Sequence, residues 1–99
     1  MPTLQIDPNA NILVGAEAGA RERQRLDLDN LDTSNEDIIV EINTTAILSD
    51  FIRALFGPSV RRLGFAQFER KYHFDAPPSV RESILENARF SDEQGGGIV

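Results

Sequence analysis

Ser49 and Asp50 stand side by side between an apolar run and a phenylalanine-rich segment. The apolar run is IIVEI, residues 38 to 42, and NTTAILSDFIRALFG continues the chain to residue 57. Serine and aspartate are typical residues at a helix N-terminus, because their side-chain oxygens accept hydrogen bonds from free backbone N–H groups. The helix dipole and the same N–H groups would also stabilise an added phosphate. Ser49 is therefore predicted to cap a helix, and it is the candidate phosphoacceptor.

A catalytic use of these residues finds little support. Ser49, Asp50 and His73 supply the three residue types of a hydrolase triad, but Ser49 and Asp50 are adjacent and no glycines flank the serine as in a nucleophile elbow. Strand alternation in KYHF puts His73 on the face opposite to Tyr72 and Phe74, which favours a partly exposed histidine. The sequence predicts a protein that is not an enzyme, with a small hydrolase kept as a third hypothesis.

Metal and cofactor sites are not indicated either. The chain has no cysteine and one histidine, which excludes thiolate sites and leaves too few imidazoles for a histidine-based one. The glycines lack the spacing and the lysine of a phosphate-binding loop. Asp27, Asp29 and Asp32 lack the glycine and the terminal glutamate of a calcium loop. We expect no bound metal and no cofactor.

The length of 99 residues fits one domain with a single hydrophobic core. We place this domain at residues 1 to 90 and predict a flexible tail over residues 91 to 99, which include three consecutive glycines. No apolar run approaches the roughly 18 to 20 residues that span a bilayer, and no basic region followed by an apolar stretch opens the chain. A cytoplasmic protein with no membrane partner is expected.

The net charge of −6 is unevenly distributed. Residues 1 to 50 carry ten acidic side chains and three arginines, whereas residues 51 to 99 carry six acidic and seven basic ones. Because an acidic chain repels a phosphate backbone at long range, a nucleic-acid partner is not expected. The basic residues of the second half are interpreted as a solvated helix face, and they include Arg53, Arg61, Arg62, Arg70 and Lys71.

The elements that position Ser49 are predicted from the spacing of apolar and turn-forming residues. The runs LQI, residues 4 to 6, and ILV, residues 12 to 14, flank a group of turn formers and predict a β-hairpin. A helix is predicted from Gly15 to about residue 31. Residues 37 to 42, of which four are β-branched, then predict a strand that is central in the sheet or covered on both faces.

After this strand the pattern alternates between helix and strand. An apolar stripe predicts a helix from residue 49, interrupted at Gly57-Pro58 and ended by Gly64. A short helical turn, a strand from Lys71 to Phe74 and a last helix from about residue 79 to residue 89 follow. The predicted fold class is α/β, a small mixed sheet of the N-terminal hairpin and parallel strands with about three helices.

With these elements in this order, residues 38 to 86 resemble the STAS-like family, which is related to domains of sulfate transporters and anti-sigma factor antagonists. The resemblance rests on IIVEINTTAILSDFIRALFG, followed by VRRLGFAQFERKYHF and PPSVRESI. GAEAGARERQR, residues 15 to 25, is similar to the glycine-bearing entry into the first helix of that family. The resemblance implies a bacterial domain with the STAS-like fold.

In the anti-sigma factor antagonists, an Asp-Ser pair begins the helix after the central strand, and a partner kinase of the GHKL ATPase type phosphorylates the serine. The resemblance therefore implies a regulatory protein-binding domain that takes part in signalling. Here the order is Ser49-Asp50, so an ungapped match puts Asp50 in the phosphoacceptor column, and no glycine follows. Either Ser49 is the acceptor after a shift of one residue, or Asp50 supplies a permanent negative charge and the switch is lost.

The predicted partner-binding surface consists of Thr44, Thr45, Ser49, Asp50 and Arg53. The leading hypothesis is a non-catalytic STAS-like domain that binds a protein, with a GHKL-type ATPase or kinase as the partner. The alternative is a structural subunit of a larger bacterial or phage-related assembly, in which Ser49 only caps a helix. A homo-oligomer is compatible with both hypotheses.

Overall fold

Five strands and five helices make up the part of the chain that the computed structural model describes, residues 1–7 and 9–96. In chain order they are β1 (Thr3–Gln5), β2 (Ile12–Leu13), α1 (Ala16–Leu26), α2 (Leu28–Thr33), β3 (Ile38–Glu41), β4 (Ala46–Ile47), α3 (Ser49–Leu63), α4 (Phe65–Lys71), β5 (Tyr72–Asp75) and α5 (Pro78–Gly96). Strands β1, β3 and β5 form a parallel sheet with β3 in the centre, and β2 pairs with β4 in a second parallel sheet. The predicted α/β class is confirmed.

The predicted N-terminal hairpin is wrong. β1 pairs in parallel with β3, with Leu4 opposite Val40, whereas β2 pairs in parallel with β4, with Leu13 opposite Ile47. Both apolar runs are strands, and Ala10 N–H donates to the Asp7 carbonyl in a turn between them. A two-stranded hairpin of this length is marginal in water, and pairing with the later strands lets Ile6 and Leu13 enter the core instead.

Within residues 1–7 and 9–96, helices cover the three-stranded sheet on one face only. Along β3 and just beyond it, Ile38, Val40 and Ile42 are buried, whereas Ile39 and Glu41 are only partly covered. Connections between parallel strands are nearly always right-handed, so strands in the order β1-β3-β5 receive both crossovers on the same side. The strand predicted over residues 37 to 42 does lie in the middle of its sheet.

The first predicted helix is divided in two. Asp27 takes the left-handed backbone conformation, with φ 58° and ψ 44°, and separates α1 from α2. This turn redirects the chain so that Leu28 is completely buried. The split and the separate helix α4 explain why the structure has five helices where about three were predicted.

Helix α3 runs without a break from Ser49 to Leu63, so the predicted interruption at Gly57-Pro58 is wrong. A proline ring clashes with the side chain of a preceding helical residue, and Gly57 has no Cβ to take part in that clash. Burial of Phe56 and Val60 on either side of Pro58 offsets the hydrogen bond that a proline cannot donate. Gly64, at φ 81°, ends the helix as predicted.

Helix α5 extends beyond the point where the flexible tail was predicted to begin. It continues to Gly96, and Ser91 is only 4% exposed. Burial of residues that face α3 holds this end of the chain in regular structure. Residues 97 to 99 of the predicted tail lie outside the described residues.

An aromatic cluster fills the core beneath β5. The ring of Phe56 lies 5.5 Å from that of Phe68 and 5.4 Å from that of Phe74, both in edge-to-face geometry, and Tyr72 packs beside them. This cluster fixes α3 and α4 against the sheet. In the described part of the chain, no helix combines the length and the apolar composition needed to cross a bilayer.

Candidate functional site

Ser49 is the first residue of α3 and not its N-cap. Leu48 occupies the N-cap position with extended backbone, φ −96° and ψ 156°, because its N–H donates to the Leu13 carbonyl at 2.9 Å and so continues the β2–β4 pairing. The leucine side chain at this N-cap position accepts no hydrogen bond, and Ser49 is exposed. The predicted N-cap role of Ser49 is therefore wrong, and its hydroxyl faces solvent.

Asp50 joins the starts of two helices. Its Oδ1 accepts a hydrogen bond from the Gly15 backbone N–H at 3.1 Å and another from the Phe51 N–H at 2.8 Å. Gly15 immediately precedes α1, so the carboxylate lies at the positive ends of both helix dipoles. Asp50 thus joins the starts of α1 and α3 and places its carboxylate next to Ser49.

The two threonines before β4 differ in exposure. Thr44 is 3% exposed, and its hydroxyl lies within hydrogen-bond distance of the Asn11 and Ala46 carbonyl oxygens. Thr45 is exposed, although its hydroxyl donates to the same Asn11 oxygen at 2.9 Å. The buried Thr44 hydroxyl therefore connects β4 to the segment before β2. Of the two threonines, only Thr45 contributes to the predicted partner-binding surface.

Arg53 lies one turn after Ser49 but is held by α5. Its Nε donates to Asn87 Oδ1 at 3.0 Å, and its guanidinium lies 4.1 Å from the centre of the Phe90 ring. A cation over an aromatic face is stabilised by the ring quadrupole. The structure therefore uses Arg53 to join α3 to α5, while its outer edge stays exposed.

An apolar surface beside Ser49 was not predicted. Ile12, Val14 and Leu48 are 56%, 50% and 46% exposed. The parallel register, Ile12 opposite Ala46 and Leu13 opposite Ile47, puts these three side chains and Ala46 on one face of the small sheet, because Leu13 and Ile47 point into the core. We call Ile12, Val14, Ala46 and Leu48 the apolar patch. Contiguous exposed apolar residues mark interaction sites more often than isolated ones do.

A buried polar network lies behind α3 and was also not predicted. Asp32 Oδ2 accepts from Arg23 Nη2 at 2.9 Å and from Ser59 Oγ at 2.8 Å, and Asp32 Oδ1 accepts from the Tyr72 hydroxyl at 2.5 Å. Burial, and then the Asp32 carboxylate, raise the pKa of the Tyr72 phenol far above its ordinary value, so the phenol stays neutral and donates. Among the described residues, every buried side-chain nitrogen and oxygen has a partner. The network joins α1, α2, α3 and β5.

The residues of the hypothetical triad are not assembled. His73 lies on the outer face of β5, with Nε2 3.6 Å from Asp37 Oδ2, whereas Ser49 and Asp50 lie at the start of a helix that covers the opposite face. Within residues 1–7 and 9–96, no three histidine or carboxylate side chains converge as metal ligands would.

Comparison of the chain with protein-family models, with curated proteins and with solved structures finds no match. The STAS-like resemblance therefore depends on the sequence segments quoted above.

Proposed function

We propose that the protein is a non-catalytic, STAS-like regulatory domain that binds a protein partner through the start of α3. The partner class is a GHKL-type ATPase or kinase, which is what the resemblance of residues 38 to 86 implies. The observation that carries the proposal is the apolar patch, whose three large side chains are about half exposed directly beside Ser49.

The patch has the composition of a small interface centre. Fully burying a valine, leucine or isoleucine side chain contributes about 1.5 to 3 kcal/mol, so covering the exposed halves of Ile12, Val14 and Leu48 contributes on the order of 3 kcal/mol. Exposed polar residues surround them, namely Asn11, Thr45, Ser49 and Asp50. An apolar centre with a polar rim is the arrangement found in protein–protein interfaces.

Ser49 gives this surface a means of regulation. A phosphate on its hydroxyl would add a charge of roughly −1.5 to −2 at the rim of the apolar patch. The Gly15 and Phe51 N–H groups are already bonded to Asp50, so the phosphate would meet a carboxylate as well as the positive end of a helix. Phosphorylation is therefore expected to weaken docking by repulsion and desolvation.

The test combines mass spectrometry and binding with a purified candidate partner of the GHKL type. After incubation with ATP, phosphate is expected on Ser49, and Ser49→Ala is expected to prevent it. Val14→Asp and Leu48→Asp are each expected to weaken binding about tenfold or more, which corresponds to 1.4 kcal/mol. Ala66→Asp, an equivalent charge on the exposed face of α4, is the matched control and should bind as the unaltered chain does.

The outcomes separate the alternatives. Unchanged binding of both patch variants to a partner that binds the unaltered chain would disprove the docking surface. An unmodified Ser49 in a stable stoichiometric complex would instead favour the structural subunit of a larger assembly. If Ser49 stays unmodified and Asp50→Asn changes the affinity for the partner, a permanent charge at residue 50 has replaced the switch.

A further inference from the structure

In the part of the chain that the structure describes, the parallel sheet β1-β3-β5 has one face without a covering layer. Its outward side chains form two rows across the strands, set by the register: Thr3, Ile39 and His73 in one row, and Gln5, Glu41 and Asp75 in the other. All are exposed except Ile39 and Glu41, which are half-buried. On the opposite face, Ile38, Val40 and Tyr72 are at most 1% exposed. We call the six outward residues the outer sheet face.

An uncovered face is unusual for strands that run parallel. Purely parallel sheets occur almost only where both faces are packed, whereas antiparallel sheets commonly leave one face in water. In this chain α3 packs between α1 and α5, its Phe56 lies against Tyr72 and Phe74 on the inner face, and the described residues supply no element for the outer face. The arrangement is that of a layered α/β unit in which one face of the parallel sheet stays uncovered among the described residues.

The chemistry of the outer sheet face restricts what could cover it. Ile39 is its only apolar side chain, and Glu41 and Asp75 supply carboxylates without any lysine or arginine on the strands. Asp37 adds a further carboxylate beside His73. The face is therefore acidic around a single apolar centre.

Two cations next to the strands of this sheet, Arg25 and Lys71, are already bonded elsewhere. Arg25 Nη2 reaches the Gln5 carbonyl at 2.8 Å, but its Nε pairs with Glu22 Oε1 at 2.6 Å, and this hydrogen bond lowers the pKa of Glu22 and keeps it ionised. Lys71 Nζ donates to the Ser34 and Glu36 carbonyl oxygens, each at 2.7 Å. Neither cation neutralises Glu41 or Asp75, so a basic partner gains favourable pairs on this face.

We propose that the outer sheet face docks an amphipathic helix of another protein, with lysine or arginine residues beside its apolar stripe. Three strands spaced about 4.8 Å apart present a strip about 10 Å across between the outer strands, which one helix of about 10 Å diameter covers. The apolar stripe packs on Ile39, and the basic residues pair with Glu41 and Asp75. A second copy of this chain related by a two-fold axis parallel to the strands would place the Gln5, Glu41 and Asp75 row of one copy against the same row of the other, and the carboxylates would repel each other.

The test uses two synthetic helical peptides of 18 residues with the same leucine stripe, one flanked by lysines and one by glutamates. The lysine peptide is expected to bind in fluorescence anisotropy, to weaken with added salt, and to shift the NMR amide signals of Ile39 and His73. Glu41→Lys combined with Asp75→Lys should reduce its affinity at least about tenfold. Glu69→Lys combined with Glu82→Lys, an equal change on exposed helix faces, should reduce it much less.

Several results would overturn the proposal. If both double variants lose the same affinity for the lysine peptide, the peptide is attracted only by the net charge of the protein. If the glutamate peptide binds as tightly as the lysine peptide, charge pairing with Glu41 and Asp75 is excluded. A dimer of the unmodified chain that Glu41→Lys with Asp75→Lys abolishes would identify a second copy as the occupant. Leu48→Asp should leave peptide binding unchanged, and a loss would place the peptide on the apolar patch. Circular dichroism confirms that each variant is folded.

Discussion

Two aspartates share one arginine but differ in what surrounds them. Arg23 Nη2 donates to Asp29 Oδ1 at 2.7 Å and to Asp32 Oδ2 at 2.9 Å, yet the Asp29 side chain is 71% exposed and the Asp32 side chain is fully buried. Water screens the first pair, whereas the second depends on protein donors alone. Burial, and not distance, therefore decides which aspartate the fold requires.

Replacing the buried aspartate by asparagine tests this difference. In Asp32→Asn, one carboxylate oxygen becomes an amide NH₂ group, which cannot accept from Ser59, Arg23 or Tyr72, so a buried donor loses its partner. We expect the free energy of unfolding to fall by about 3 kcal/mol, measured by urea denaturation at pH 7. Asp29→Asn, the matched change on the exposed side, should leave the transition nearly unchanged. Equal effects would show that the buried network is not what holds these elements.

At this scale the sequence predicted the place of Ser49 better than the role of its neighbours. The change from β-branched residues to an amphipathic stripe located the start of α3 at Ser49. It could not identify Leu48 as the N-cap, because that depends on a hydrogen bond to Leu13, 35 positions earlier in the chain. The network around Asp32 was missed for a similar reason, since nothing local distinguishes Arg23 from its neighbours Arg21 and Arg25.

Among the elements, the closest approach is between α1 and α3. A Cβ atom added to Gly19 would lie 2.5 Å from the Phe51 carbonyl oxygen and 2.9 Å from Ala54 Cβ. The Phe51 carbonyl oxygen belongs to the backbone of α3, so it cannot move away from this Cβ atom unless the helix moves. Gly19 therefore sets how near the two helices lie, and with it the alignment of Gly15 with Asp50.

Gly19→Ala is expected to destabilise the protein although alanine is the better helix former. Overpacking costs about 1 to 3 kcal/mol, which exceeds the gain of up to about 1 kcal/mol from helix propensity. Thermal denaturation measures the net loss. Ala20→Gly, one residue further on the exposed face of α1, serves as the control because it reports propensity without a clash. A Gly19→Ala protein as stable as the unaltered chain would mean that the two helices can separate freely.

Strand pairing is where sequence reasoning failed at the scale of elements. The composition of β1, β2 and β3 identified them as strands, but strands of two to four residues carry too few alternating positions to specify a partner. The apolar patch was missed as a consequence. The predicted hairpin would pair β2 with β1, and Val14 would then lie away from Leu48. The observed parallel pairing of β2 with β4 places Val14 beside Leu48.

For the whole molecule, one-sided layering separates two surfaces of different chemistry. The outer sheet face is acidic around Ile39, and the apolar patch lies beyond the sheet at the start of α3. A chain that places all its helices on one face keeps both surfaces accessible. The two proposals can therefore fail independently, since Leu48→Asp acts on one surface and Glu41→Lys with Asp75→Lys on the other.

The last turns of α5 decide where the folded unit ends. Ser91 is buried, Asp92 Oδ1 accepts from the Phe65 N–H at 3.3 Å, and Phe90 stacks against Arg53. A chain that ends at Arg89 loses all three contacts, whereas a chain that ends at Glu93 keeps them. We expect the shorter chain to be less stable than the longer one by about 2 kcal/mol, from a cation–π contact, a hydrogen bond and buried surface. Urea denaturation of both truncated chains makes the comparison, and equal stabilities would support the predicted domain boundary at residue 90.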